Sequence, residues 1–307
     1  MKRVKELIHY KCDDTQSGRV NGEGIGVAVL DSGIVMHPDF DKRIIAFRDI
    51  VGKKRRIYDD NGHGTHVAGI IGGSGAMSER RELAGIAPRC RLVPIKVLDK
   101  NGDGNIQNVI EGIKTVINNR EQYNIRIISI SVGTFPHGAN ANETQLLKWV
   151  DRAWDLGLVV IAAAGNLGPE NGTITIPGVS KKIITVGSTY ERGFAEAAGK
   201  SKRNYSSRGP TQECICKPDL VAPGSNVISC NAHYIKKFQK NYAFKSGTSM
   251  ATPVVSGAIA LLMSKYPDVS NVEVKLRLRD TCDDLNQPRN QQGWGQLNIR
   301  RLLEPWA

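Results

Sequence analysis

"GIGVAVLD" (24–31) is a short, unbroken apolar run that ends in a carboxylate. It does not alternate between apolar and polar residues. A strand of this kind is buried on both faces, as in a parallel sheet covered by helices. Four more runs read the same way: "RLVPIKVLD" (91–99), "IRIISISVG" (125–133), "LVVIAAAGN" (158–166) and "KKIITVGS" (181–188). Between them lie helical segments, "GTHVAGIIGG" (64–73), "NIQNVIEGIKTVINNR" (105–120) and "NETQLLKWVDRAWDLG" (142–157). In the second, Ile106, Val109, Ile110, Ile113, Val116 and Ile117 recur at helical spacing and form one apolar face. Leu146, Leu147, Val150 and Trp154 do so in the third.

Strand–helix alternation predicts an α/β fold of three layers, a doubly wound, mostly parallel sheet with helices on both faces. No Pro/Ser-rich linker divides the chain, so residues 1–307 read as a single domain. Ligands of such sheets bind beyond the carboxyl ends of the strands. Asp31 ends the first strand and Asn166 a later one, which places candidate chemistry at that edge.

Four polar elements converge there. "VLDSG" (29–33) puts a carboxylate before a glycine turn, and "NGHGTHVAG" (61–69) starts a helix at His63. "AAAGN" (162–166) ends in an amide, and "SGTSMATP" (246–253) places Ser249 where an apolar helix begins. His63 and His66 are three apart with no Glu between them, unlike the i, i+4 zinc pattern, so His66 reads as a packed residue. Ser249 reads both as a helix cap and as a nucleophile, with Pro253 accommodated in the first helical turn. A hydroxyl is a poor nucleophile at neutral pH and needs a base. The base needs a carboxylate to fix its tautomer, and the developing oxyanion needs a fixed donor. Asp31, His63, Asn166 and Ser249 supply those four functions.

Composition bounds the rest. With 307 residues, 40 % of them hydrophobic, and a mean hydropathy of −0.30, the chain builds a sizeable core. No apolar stretch approaches the roughly 20 residues of a membrane span, and the N-terminus has no signal-peptide h-region, so a cytoplasmic protein is expected. The six cysteines are scattered and read as free thiols; Cys214-Ile-Cys216 is too short for a zinc knuckle. The net charge of +12 favours acidic substrates, but runs such as "GKKRR" (52–56) lack the aromatic interleaving of a nucleic-acid groove. Neither a nucleic-acid nor a membrane partner is expected.

The blocks "VAVLDSGI" (27–34), "NGHGTHVAG" (61–69) and "SGTSMATP" (246–253), with "SSRGP" (206–210) and "KPDLVAPG" (217–224), resemble the subtilase family of serine peptidases from about residue 20 to about residue 300, leaving 1–20 as an N-terminal extension. The resemblance implies that Asp31 orients, His63 acts as base and then acid, and Ser249 attacks the scissile carbonyl. It implies that Asn166 and the Ser249 N–H bind the oxyanion. It also implies an extended peptide or unfolded protein as substrate, lying between Gly102, Asp103 and Gly104 on one side and Ser131, Val132 and Gly133 on the other. A first pocket is expected between Ser131–Gly133 and Ala162, Ala163, Ala164 and Gly165. Leu167 stands where some relatives carry an acid, so an apolar or large P1 residue is expected.

The chain departs from the pattern in three places. Val254 replaces a histidine of the family's "TPHVAG". The region after the catalytic His, "GSGAMSERRELAGIAP" (73–88), has no Asn and carries Arg80 and Arg81, so the high-affinity calcium site near Asp39 is expected to be missing. No cofactor is then required, and calcium enters at most weakly or peripherally, through backbone carbonyls. Only about two dozen residues precede the first strand, so a form without a long prodomain, resembling an intracellular branch, is expected. The enzyme would serve general proteolysis or maturation of one precursor peptide. The competing class is a silent peptide-binding pseudoenzyme, which the four intact residues disfavour.

Overall fold

The computed structural model describes residues 1–134, 141–189, 204–234 and 240–305. Seven strands form one sheet: β1 Gly26–Asp31, β2 Arg48–Asp49, β3 Arg91–Lys96, β4 Ile125–Ile130, β5 Val159–Ala163, β6 Ile184–Ser188 and β7 Leu220–Ala222. Their order is β2-β3-β1-β4-β5-β6-β7 and every pairing is parallel. The five strands read from the sequence all lie in this sheet. β2 and β7 join them, with two and three residues. A separate antiparallel hairpin pairs β8 Val227–Cys230 with β9 Tyr242–Lys245.

Alternation along each strand assigns the two covering layers. Leu30 and Ile95 meet Gly112 of the helix Ile106–Asn119. That helix is capped by Asn105, whose Oδ1 accepts from the Asn108 N–H at 2.9 Å, and it packs beside the helix Ala141–Asp155. Asp31, one residue on from Leu30, points to the opposite face. There the helix His63–Gly72 and the helix Thr248–Lys265 pack against each other and on the sheet. The second of these sits close to β4, and Ser256 Oγ donates to Ser129 Oγ at 2.9 Å inside the contact. Small residues set the spacing between helices and loops: a Cβ on Gly257 would stand 2.6 Å from Ile86 Cβ.

The apolar core runs without interruption from Met1, Val4 and Ile8 to Leu302 and Leu303. The N-terminal residues are therefore folded into it, and the Ile299 N–H donates to the Ile8 carbonyl at 2.8 Å. Strand order reverses between β1 and β4. The carboxyl ends of these two strands flank the crevice where doubly wound sheets bind their ligands.

Candidate active site

Asp31 is the last residue of β1, with a fully buried carboxylate that accepts the Ser32 N–H at 2.7 Å. Gly33 follows with φ +116°, and any side chain there would run into the Tyr58 carbonyl. The turn therefore brings the chain from β1 directly under the start of the next helix. His63 is the first residue of that helix, and its Nδ1 lies 2.8 and 2.9 Å from the two Asp31 oxygens. This pairing makes Nδ1 the donor and leaves the Nε2 lone pair free. Burial pulls the His63 pKa down, but the charge and hydrogen bond of Asp31 outweigh it and hold it above 6.5.

Two buried side chains lock Asp31 and His63 together. Asp59 accepts from Ser32 Oγ (2.9 Å), Gly62 N (2.7 Å), Thr65 N (2.9 Å) and Thr65 Oγ1 (2.6 Å). It thus joins the Asp31 turn to the first turn of the His63 helix. Lys96 is 1 % exposed, and its ammonium donates to Ser32 O, Leu98 O and Asp60 Oδ1, each at 2.7 Å. Sequence reading missed both residues. The signal for Lys96 was present as a cation enclosed by the apolar residues Leu92–Leu98. His66 is buried, with Nε2 3.1 and 3.0 Å from the carbonyls of Val227 and Ala243. Burial takes its pKa down to about 3, so it stays neutral and fastens the β8–β9 hairpin to the helix.

Ser249 lies in the first turn of the helix Thr248–Lys265, whose N-cap is Gly247. It is therefore a helical residue and not the cap. Pro253 is the sixth helical residue, beyond the first turn, which corrects its expected place; the hydrogen bond lost there is the one to the Ser249 carbonyl. The Ser249 hydroxyl donates to the Ser131 carbonyl at 2.7 Å, at the end of β4, and not to His63. Asn166 projects from the loop after β5. Its Oδ1 accepts from Thr248 N at 2.9 Å and Thr248 Oγ1 at 3.2 Å, which turns Nδ2 outward. Among the described residues the Ser249 N–H has no hydrogen-bond acceptor, as expected within a first turn.

One open cleft of about 690 Å³ collects these groups. His63, Asn166 and Ser249 line it, with Gly102, Ser131, Val132, Gly133, Ala163, Gly165 and Leu167 of the expected substrate residues. Asp103 and Gly104 lie in the exposed loop beside it, and Ala162 and Ala164 are buried beneath it; none of these four lines the cleft. Asn61, Leu98, Asn101, Thr134, Thr175 and Thr248 complete the wall. Among the described residues no charged side chain other than a protonated His63 faces the cleft. Val254 is buried in the helix core, away from this wall.

Asp39, near which the calcium site is expected to be missing, is ringed by hydrogen-bond donors. Its carboxylate is met by the N–H groups of Gly75 (3.0 Å) and Met77 (3.1 Å) and by the Tyr242 hydroxyl (2.9 Å). Calcium needs six to eight oxygen ligands, and these neighbours are donors. Among the described residues no helix is long and apolar enough to cross a membrane.

With this geometry in place, the sequence model of the subtilase family matches residues 22–295. The serine protease AprX of Bacillus subtilis (strain 168) is 42 % identical over 318 residues, covering 97 % of this chain and 70 % of that protein. Subtilisin DY of Bacillus licheniformis is 34 % identical, covering 96 % of each chain. Among solved structures, sphericase superposes with a TM-score of 0.76 at 28 % identity, over 91 % of this chain and 92 % of that one.

Proposed function

The chain belongs to the subtilase family and is a subtilisin-like serine protease, and from that premise we propose that Asp31, His63 and Ser249 form its catalytic triad. The observation that carries this reading is the close Asp31–His63 pair, with the free Nε2 and Ser249 in one cleft. The Ser249 hydroxyl turns from the Ser131 carbonyl toward Nε2 as substrate enters, and His63 takes its proton. Ser249 Oγ bonds to the carbonyl carbon, and the oxyanion forms against Asn166 Nδ2 and the Ser249 N–H. His63 then protonates the leaving amine. Water repeats the sequence on the acyl-enzyme and frees the enzyme. Asp31 keeps the imidazole in its productive tautomer and stabilises the imidazolium.

Asn166→Ala removes one oxyanion donor. We expect kcat to fall about 10²- to 10³-fold with little change in KM, the scale known for such a donor in subtilisin. Steady-state kinetics on a chromogenic peptide measure it.

The substrate is an extended or unfolded peptide segment, seated between the Gly102 edge and the Ser131–Gly133 edge. The uncharged first pocket, with Leu167 at its rim, accepts an apolar or large P1 residue. A P1-varied peptide library should rank Leu, Phe, Tyr or Met above Lys and Arg. A strong preference for Lys or Arg would overturn this assignment.

Residues 1–307 act as one peptidase domain without a required cofactor, and Asp39 holds no calcium. The six cysteines stand as free thiols, which supports a reducing, cytoplasmic setting.

A further inference from the structure

The loop after β1 and the end of β8 place three metal-binding side chains together beside the His63 helix. His37, Asp39 and Cys230 are each at most 1 % exposed, and their ligand atoms all lie within 4.8 Å of one another. His37 Nδ1 is 3.7 Å from Asp39 Oδ1, and Cys230 Sγ is 3.6 Å from Asp39 Oδ2. Ligands of tetrahedral zinc, at bond lengths of about 2.0 to 2.3 Å, stand about 3.3 to 3.8 Å apart, so both separations suit one ion.

Two further features point the same way. His37 Nε2 lies 3.0 Å from the Asn241 carbonyl, which makes Nε2 the donor and turns the Nδ1 lone pair toward the cluster. A backbone carbonyl behind a ligating imidazole is a common support for metal histidines. The Asp39 N–H occupies that lone pair only at 3.2 Å. Second, Asp39 is a fully buried carboxylate that meets N–H, O–H and S–H donors, and Arg43, the cation that acts on it electrostatically, bonds its backbone carbonyl and not the carboxylate. A bound cation would meet that carboxylate directly.

We propose that His37 Nδ1, the Asp39 carboxylate and Cys230 Sγ form a binding site for a zinc-class divalent cation. On binding, the Cys230 thiol loses its proton and Sγ bonds to the ion. One thiolate, one carboxylate and a neutral imidazole then balance two positive charges inside the core. The Tyr242 hydroxyl donates to the Asp39 oxygens at 2.9 and 3.0 Å. The ion would tie the end of β8, which carries Cys230, to the loop after β1, which carries His37 and Asp39. Soft and mixed ligands favour zinc or cobalt(II) over calcium here.

Cobalt(II) and zinc are titrated into the chelator-treated protein after its active site is inactivated with a fluorophosphonate, which prevents self-digestion. One equivalent of cobalt should produce a thiolate-to-metal absorption band. Saturating zinc should release one proton per ion and raise the melting temperature by roughly 5 °C. Cys230→Ser and Cys230→Ala should lose the band and the shift while still reacting with the fluorophosphonate. A double Cys214→Ser, Cys216→Ser variant, altered only at exposed thiols, should keep both, and it carries the test if the Cys230 variants fail to fold. Absence of the band in the unaltered protein, its persistence in either folded Cys230 variant, or its loss in the Cys214/Cys216 variant would overturn the proposal.

Discussion

Ser249→Ala lowers kcat by about 10⁶-fold and leaves KM and the folded structure essentially unchanged. The scale is the one known for the subtilisin triad, where loss of the serine costs nearly as much as loss of all three residues. The reason is local. The hydroxyl is the atom that bonds to substrate, and among the described residues nothing else in the cleft replaces it: the wall offers Ser131, threonines, asparagines and glycines, but no second hydroxyl beside a base. The oxyanion donors remain in the variant, because Asn166 is oriented by Thr248 and not by Ser249. A residual rate about 10³- to 10⁴-fold above water should therefore survive. Steady-state kinetics with an active-site-titrated enzyme would show it. A loss smaller than about 100-fold would mean that another group performs the attack.

Asp31→Asn should lower kcat by about 10⁴-fold and also shift the pH profile. Protonated His63 cannot accept the serine proton, so activity is lost as pH falls through the His63 pKa. In the native enzyme the charge and hydrogen bond of Asp31 overcome the effect of burial and hold that pKa above 6.5. The acid limb of kcat/KM should therefore lie above pH 6.5. Without the Asp31 charge, burial prevails and the limb moves to lower pH. The sign follows from the geometry alone: removing a carboxylate 2.8 Å from Nδ1 destabilises the imidazolium. A limb that stays in place, or moves up, would contradict the electrostatic role given to Asp31.

Much of this site was legible in the sequence because its chemistry sits at ends of strands and starts of helices. The runs at 24–31, 91–99, 125–133, 158–166 and 181–188 are long enough for burial to mark them as strands, and Asp31 and Asn166 fall at or just past their ends. β2 and β7 escaped because two or three residues hold no period. The β8–β9 hairpin escaped because its pairing is set by tertiary contact, including His66 with the carbonyls of Val227 and Ala243. The Ser131 carbonyl, which accepts from Ser249, carries no residue signature at all. Asp59 sits in a loop, where a carboxylate is unremarkable until its four partners are seen. Alternation along β5 and its exit turns Ala163 and Gly165 to the cleft and buries Ala162 and Ala164. The helix start was read two residues late, which made Ser249 a cap and put Pro253 in the first turn.

The most direct test of the catalytic assignment is to react the enzyme with a fluorophosphonate at several pH values and locate the adduct by peptide mass spectrometry. One phosphonyl group should map to Ser249, and its rate of formation should fall with the same acid limb above pH 6.5 that governs turnover. An adduct on any other residue, or a rate at Ser249 that does not respond to His63 protonation, would contradict the account.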